Sequence, residues 1–140
     1  MDFALYEKVE GIAWMLFDTD ILIYADRGLE SAKDLIMSTP ERAISAVTYM
    51  EYVPYCRDKT ELRIFEKMLE ALQFTIYDLD ADISRQARQC VRQFALSHSV
   101  EMGDALIAAT AIYRDEVLCT SNAKHFKPIT GLEVQVYKPR

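Results

Sequence analysis

Residues 14–24 read WMLFDTDILIY, two apolar runs separated only by Asp18, Thr19 and Asp20. The first run is continuously apolar rather than alternating, which is typical of a β-strand covered on both faces. The second run should continue as a helix. Asp18 would then lie at the junction of strand and helix and face the crevice outside the end of the strand. Helix capping is the alternative role for an aspartate here, and Asp20 could fill it. Two acids at i and i+2 are more than capping alone requires.

Four further apolar runs predict strands, and helices fall between most of them. They are residues 43–47, 74–77, 117–120 and 134–137. Glycine and proline are scarce at four each, and no repeat or linker divides the chain. We therefore expect a single domain over residues 1–140, an α/β/α sandwich of three layers with a central parallel sheet of four to five strands. In such a fold the ligand site lies outside the carboxyl ends of the strands.

Three helices are predicted from the spacing of apolar residues. Residues 60–72 repeat leucine and phenylalanine at helical period, and Thr60 is the expected N-cap. Residues 82–98 form a strongly amphipathic helix, and residues 101–114 form a nearly apolar one. The polar face of the amphipathic helix could touch RNA phosphates, although a solvated outer face is the favoured interpretation. Its cations are Arg85, Arg88 and Arg92.

Glu51 is the second acid expected at the carboxyl edge of the sheet. It lies a few residues beyond the strand predicted at 43–47 and about one turn into the next helix. Taken alone, a glutamate near a helix start is most often a partner of the helix dipole. Pro54 should kink or end this helix because proline removes an amide donor. A short helix anchored at the sheet edge is consistent with the positioning of one side chain.

Asp104 is the third candidate acid, at the start of an otherwise apolar helix. An uncompensated buried charge is costly, so a cation is expected if Asp104 converges with the other acids, while dipole stabilisation near the helix start is the simpler alternative. Asn122 follows the strand at 117–120 and supplies a neutral oxygen to the same rim, and Thr120 can add a hydroxyl. Three facing carboxylates would repel one another, which favours Mg²⁺ or Mn²⁺ in an all-oxygen site.

Composition restricts the possible functions. The formal net charge of -6 argues against a protein that binds nucleic acid mainly through a basic surface. It does not exclude a nuclease that holds its scissile phosphate through a divalent cation, because such a site needs clustered acids.

Cysteine and histidine usage excludes several kinds of site. The three cysteines form no CxxC pair, so zinc binding is not indicated and reduced thiols in or near the core are expected. The only histidines are His98 and His125, which makes a histidine-based metal centre or a Ser-His-Asp triad improbable. Catalysis would therefore depend on carboxylates.

The chain carries no apolar run long enough to span a membrane and no pattern of a secretory signal at its start. We therefore expect a cytoplasmic protein that does not associate with membranes.

Four segments in order resemble the PIN-domain family, and in particular the VapC toxins of toxin-antitoxin pairs. They are FDTDILIYA (residues 17–25), ISAVTYMEY (44–52), GDALIAATAI (103–112) and LCTSNAKHFKPITGLEV (118–134). The resemblance runs from about Met15 to Tyr137. Residues 1–14 fall outside it, as a possible N-terminal extension.

The resemblance implies a Mg²⁺-dependent (or Mn²⁺-dependent) endoribonuclease in which Asp18, Glu51 and Asp104 coordinate the metal. Asn122 would be a further ligand, but it stands where many members carry a fourth acid, and this departure puts a second metal in doubt. Asp20 and Thr120 receive supporting roles. The resemblance also implies a homodimer, an RNA substrate and a cognate antitoxin that inserts a basic segment into the acidic site.

Two other functions compete with this one. A phosphohydrolase of the haloacid dehalogenase type would use Asp18 as nucleophile and Asp20 as acid/base, but Leu22 and Ala108 depart from its motifs. A catalytically inactive PIN-like module that binds RNA or protein is the other alternative, and Asn122 gives it some weight.

Overall fold

The computed structural model describes residues 14–139 and contains five strands. They are β1 (Trp14–Phe17), β2 (Glu41–Ser45), β3 (Thr75–Tyr77), β4 (Val117–Thr120) and β5 (Val134–Val136). The strands form one sheet in the order β3-β2-β1-β4-β5, and every neighbouring pair is parallel. The predicted α/β class and a sheet of four to five parallel strands are confirmed.

Seven α-helices and one 3₁₀ turn connect these strands within residues 14–139. They are α1 (Thr19–Asp26), α2 (Glu30–Ser38), α3 (Ala46–Tyr52), the turn Val53–Tyr55, α4 (Lys59–Ala71), α5 (Ala81–His98), α6 (Met102–Arg114) and α7 (Ala123–Phe126). Pro54 lies in the 3₁₀ turn directly after α3, so the predicted end of that helix at the proline is confirmed.

Residues along β1 alternate between the two faces of the sheet, as the pleat of a strand requires. Met15 and Phe17 pack in a core with α1, α2 and α4. Leu16 packs on the opposite face in a second core, which α6 covers. All three side chains are buried, and burial of each contributes roughly 1.5–3 kcal/mol. The continuous apolar run therefore reflects helices on both sides of the sheet, which gives the predicted three layers.

The boundaries of the second strand differ from the prediction. The strand covers Glu41–Ser45 rather than residues 43–47, so that Val47 is helical. The reason is a cap, because the Ser45 side-chain oxygen accepts a 3.0 Å hydrogen bond from the Val47 amide and thereby starts α3.

The predicted N-cap at Thr60 is also wrong. Asp58 caps α4 by accepting a 2.9 Å hydrogen bond from the Glu61 amide, so Thr60 lies inside the helix. Aspartate is at least as good a cap as threonine, and Asp58 directly precedes the helix. At α1 the capping role, which the sequence left open between Asp18 and Asp20, belongs to Asp18.

The sheet order places a topological switch point beside β1. The chain proceeds from β1 to β2 on one side, whereas β4 pairs with β1 on the other side, with Phe17 opposite Cys119. The Asp18 amide continues this pairing with a 2.9 Å hydrogen bond to the Cys119 carbonyl. Ligands of open parallel sheets bind in the crevice at such a point.

Two other predictions concern the chain as a whole. All three cysteines are free, and Cys119 is buried while Cys56 and Cys90 are half-buried, as expected of reduced thiols near the core. None of the helices in residues 14–139 combines the length and the apolarity that a membrane crossing requires. The expected extension at residues 1–14 lies outside the described residues, apart from Trp14, which begins β1.

Candidate active site

Asp18 lies at the junction of β1 and α1 and is held by two elements. Its Oδ1 accepts a 2.8 Å hydrogen bond from the Thr19 amide, and its Oδ2 accepts one of 2.8 Å from the Thr120 hydroxyl on β4. The residue is only 8% exposed. Burial, followed by the neighbouring charge of Asp20, raises the pKa of Asp18 to about 7 although both hydrogen bonds act in the opposite direction. The predicted hydroxyl of Thr120 is therefore in direct contact with the predicted acid.

Asp20 lies in the first turn of α1 and faces the end of β4. Its Oδ2 accepts hydrogen bonds from the amide of Ser121, at 2.9 Å, and from the Ser121 hydroxyl. Its Oδ1 is buried and has no hydrogen-bond partner. A buried carboxylate oxygen without a donor is costly, and a cation is one group that could satisfy it.

Glu51 lies near the end of α3 and is exposed, but its carboxylate is in contact with two other segments. The Thr19 hydroxyl donates a 2.6 Å hydrogen bond to Glu51 Oε1. Oε2 lies so close to Gly103 that a Cβ at that position would be 2.8 Å away. Glu51 therefore spans the space between the first turn of α1 and the first turn of α6.

Asp104 lies in the first turn of α6 and is half-buried. Burial raises its pKa, and the charges of Glu101 and Glu51 add to this effect. His125, whose Nδ1 is 3.5 Å from Asp104 Oδ2, acts in the opposite direction. The structure thus places one histidine at the rim of the acidic site.

Asn122 is exposed on the same rim, directly before α7. Its backbone amide donates a 3.0 Å hydrogen bond to the Thr120 hydroxyl oxygen, and its side chain does not cap α7. Neither observation fixes the orientation of the Asn122 side chain. Its role as a metal ligand stays a prediction.

The acids share one electrostatic environment at the carboxyl edge of the sheet. Asp18 is affected by the charges of Asp20 and Asp104, and Asp104 by that of Glu51. As they stand, however, no three Asp, Glu, His or Cys side chains in residues 14–139 are close enough together to hold a metal ion. Mg²⁺ is usually bound through one or two carboxylates and keeps several waters. The carboxylates of this site are therefore ligands of the type that Mg²⁺ binds. The individual metal-binding roles stay predictions.

Sequence reasoning missed several residues of the site. Thr19, Ser121 and His125 contact the acids directly, but none had been assigned a role. Thr19 stands between two aspartates in the sequence, yet its partner Glu51 is 32 residues away and could not be read from spacing. Hydroxyl and histidine contacts of this kind depend on the tertiary structure alone.

The sequence matches a known family model and two named relatives over most of its length. The PIN domain model matches residues 15–131. The chain is 32% identical over 134 residues to Ribonuclease VapC10 of Mycobacterium tuberculosis, a match that covers 90% of this chain and 98% of that protein. It is also 32% identical over 123 residues to Ribonuclease VapC19 of the same organism, covering 84% of this chain and 96% of that protein.

Solved structures with the same fold come from toxin-antitoxin complexes. A chain of a toxin-antitoxin complex from Klebsiella pneumoniae superposes with a TM-score of 0.68 and 30% identity, covering 90% of this chain and 98% of that one. A chain of VapBC2 from Rickettsia felis, bound to a promoter DNA fragment, gives a TM-score of 0.73 at 23% identity, covering 89% and 99%. The second of these shows the fold alone. With the family model spanning most of the sequence and relatives 32% identical over nearly their full length, the chain belongs to the PIN-domain family, among its VapC proteins.

Proposed function

We propose that this protein is a Mg²⁺- or Mn²⁺-dependent endoribonuclease and the toxin of a toxin-antitoxin pair. The observation that carries the proposal is the set of acids at the switch point beside β1, among which Asp18 is buried and has its pKa raised to about 7. A buried acid with a strongly shifted pKa in a crevice is typical of a catalytic site. Relatives with the printed name ribonuclease supply the choice of RNA as substrate.

The donor chemistry of this site fits a divalent cation. Carboxylate and hydroxyl oxygens surround it, and Asp20 Oδ1 has no hydrogen-bond partner. Burial, followed by repulsion from Asp20, raises the pKa of Asp18. We propose Asp18, Glu51 and Asp104 as the residues that would hold the ion, with Asp20 and Thr120 in support. Such an ion would supply positive charge for the scissile phosphate and acidity for a water molecule near it.

Hydrogen bonds from neighbouring residues would hold the acids of this site in position for substrate. Thr120 and Ser121 fix the carboxylates of Asp18 and Asp20 from the end of β4. Without a cation the collected negative charge repels RNA phosphates, so cleavage should depend strictly on divalent metal. Asn122 contributes no charge, which should weaken binding of any second ion.

Cleavage of a structured RNA panel by the purified protein, with Mg²⁺ and with EDTA, tests this proposal. We expect activity that EDTA abolishes and that Asp104→Asn lowers at least 100-fold, because the substitution removes charge but keeps side-chain size. Asp34→Asn on α2, at an exposed position, is the matched control and should cleave like the wild type. Full activity in the Asp104→Asn protein would refute the assignment.

The same experiment separates the inactive-module alternative, which predicts RNA binding without metal-dependent cleavage. The haloacid dehalogenase alternative has lost its support, because the PIN domain model matches residues 15–131. We further propose a cytoplasmic homodimer. Size-exclusion chromatography with light scattering at micromolar concentration would contradict the dimer if it showed monomers only.

We also propose an antitoxin partner, since similar structures are toxin-antitoxin complexes. A groove of about 850 Å³ lies between α1, α2 and α4 and offers an apolar surface to such a partner. Among its lining residues are Leu22, Ile36, Phe65, Met68 and Leu72, together with the exposed Met37 and Ile64. A basic segment of the antitoxin would enter the acidic site, where complementary charge favours association.

A further inference from the structure

Glu51 differs from the other proposed metal-binding acids in being exposed, whereas Asp18 is buried and Asp104 half-buried. An exposed glutamate has several accessible rotamers, so its carboxylate needs contacts that hold it in one place. We propose that Thr19, Thr48 and Gly103 form a positioning set, which fixes the Glu51 carboxylate beside Asp104 for cation binding. This inference rests on the proposed function and assigns three further residues to it.

The first part of the positioning set is a pair of hydroxyls. Thr19 and Thr48 are buried, and their hydroxyl oxygens are 3.2 Å apart. An ionised Glu51 carboxylate can only accept, so the single hydroxyl proton of Thr19 goes to Glu51 Oε1 at 2.6 Å. The Thr19 hydroxyl also points at the Thr48 oxygen, at 3.2 Å, which is the longer of its two contacts. Thr48 and Glu51 lie three residues apart on α3, so both contacts of the Thr19 hydroxyl are with the same helix.

The second part of the set is the missing side chain of Gly103. This residue lies within α6, where glycine is less favourable than alanine and where no positive φ requires it. A Cβ at position 103 would be 2.8 Å from Glu51 Oε2, inside normal contact distance. The glycine therefore leaves the space in which the second carboxylate oxygen lies, next to Asp104, whose pKa the Glu51 charge helps to raise.

The hydroxyl contact is tested by Mn²⁺ binding to the full-length protein, measured by calorimetry and by electron paramagnetic resonance. Thr19→Val keeps the shape of the residue but removes the donor, and we expect at least tenfold weaker binding, the usual effect of losing a residue that orients a metal ligand. Thr19→Ser restores the hydroxyl and should bind within about threefold of the wild type. Thr39→Val is the matched control, since Thr39 is a buried threonine whose hydroxyl bonds to the Leu35 carbonyl, away from the site. Equal affinity in the Thr19→Val and wild-type proteins would overturn the inference.

Gly103→Ala gives a test in which stability and metal binding should move in opposite directions. Alanine favours the helix, and the atom that it meets is the end of a flexible side chain, so the melting temperature should hold or rise. The carboxylate must swing away, so Mn²⁺ affinity should fall about tenfold. A role for Gly103 in helix packing alone would instead lower the melting temperature and leave Mn²⁺ affinity unchanged, and unchanged affinity contradicts the positioning set.

Crystal structures of the metal-free Thr19→Val and Gly103→Ala proteins separate this inference from the proposed function. We expect the Glu51 carboxylate to leave its position over residue 103 in both variants. If the wild type fails to bind Mn²⁺ but the carboxylate moves, the proposed function is wrong and the positioning contacts are right. An unmoved Glu51 carboxylate overturns the inference whatever the metal does.

Discussion

The hydroxyl of Thr120 donates a 2.8 Å hydrogen bond to Asp18 Oδ2, so a residue of β4 holds the acid that follows β1, although 102 positions separate them in sequence. This contact crosses the switch point of the sheet, where β1 and β4 are paired in parallel. It lowers the pKa of Asp18, but burial and the charge of Asp20 outweigh it. The ionised form of Asp18 is therefore unfavourable in the metal-free protein.

Asp18→Asn should stabilise the metal-free protein at pH 8 while abolishing RNA cleavage. Asparagine caps helices as well as aspartate does, so α1 should persist. The pKa of Asp18 is about 7 in the folded protein against an ordinary value of 3.8, so the folded state favours the protonated form. The free energy of unfolding therefore falls as pH rises from about 4 to about 7, by about 1.4 kcal/mol for each pH unit. The asparagine variant lacks this loss.

Urea unfolding in EDTA at pH 5 and pH 8 measures the effect. The variant's advantage over the wild type should grow by a few kcal/mol between the two pH values. Asp34→Asn serves again as the control for loss of one exposed negative charge. An advantage that is the same at both pH values would contradict the assigned cause.

Glu116→Gln should stabilise the protein at neutral pH through a buried group outside the active site. Glu116 precedes β4, and its Oε2 accepts a hydrogen bond from the Tyr77 hydroxyl, while its buried Oε1 has no partner. Burial raises the pKa of Glu116, so the wild type loses stability as pH rises from about 4.5 through the folded value. An unsatisfied buried group costs about 1–3 kcal/mol, and glutamine should recover part of this at pH 7.

Thermal unfolding at pH 4 and pH 7 checks this prediction. The melting temperatures of wild type and Glu116→Gln should converge at pH 4. Tyr77→Phe leaves both carboxylate oxygens without a donor and should destabilise the protein, more at pH 7 than at pH 4. The proposed cause fails if glutamine lowers the melting temperature at pH 7.

Asn122→Asp should strengthen binding of divalent cations by adding the fourth acid that many family members carry. The residue is exposed and its side chain does not cap α7, so the substitution should leave the fold unchanged. Isothermal titration with Mn²⁺ should show tighter overall binding or a second equivalent, whereas Asn122→Ala, which removes the ligand oxygen, should bind more weakly than the wild type. Weaker binding by the aspartate variant would exclude Asn122 from the metal site.

Met37→Glu should weaken antitoxin binding at least tenfold without changing cleavage by the free toxin. The exposed Met37 side chain lines the groove between α1, α2 and α4, where a charge would oppose an apolar partner. Leu96→Glu, at a fully exposed position on α5 that does not line this groove, is the matched control. Calorimetry with the cognate antitoxin measures both, and equal affinities would reject the groove as the antitoxin site.

The fold was predictable from the sequence wherever apolar runs were uninterrupted. Residues 14–17 and 117–120 were placed correctly because the central strands are covered on both faces and are apolar apart from Thr120. The error at β2 arose because Ser45 is both the last strand residue and the cap of α3, so the apolar run continues from strand into helix. Hydrophobicity alone cannot locate such a boundary.

The position of the site could be predicted from its acids and from the hydroxyl of Thr120. Asp18 and Asp104 could be placed because each stands at the junction of an apolar element, where a charge needs an explanation. The contacts of Thr19, Ser121 and His125 could not be predicted, because threonine, serine and histidine occur at many exposed positions without a role. The partner of Ser121 becomes visible only once β1 and β4 are paired, and those of Thr19 and His125 only once the helices are packed.

The central claim is that the acids at the carboxyl edge of β1 and β4 bind a divalent cation. A crystal structure grown with Mn²⁺ tests it most directly, because anomalous scattering locates the ion without any assumption about activity. We predict an anomalous peak between the carboxylates of Asp18, Glu51 and Asp104. No peak there at saturating Mn²⁺, or Mn²⁺ bound only elsewhere on the protein, would contradict the account.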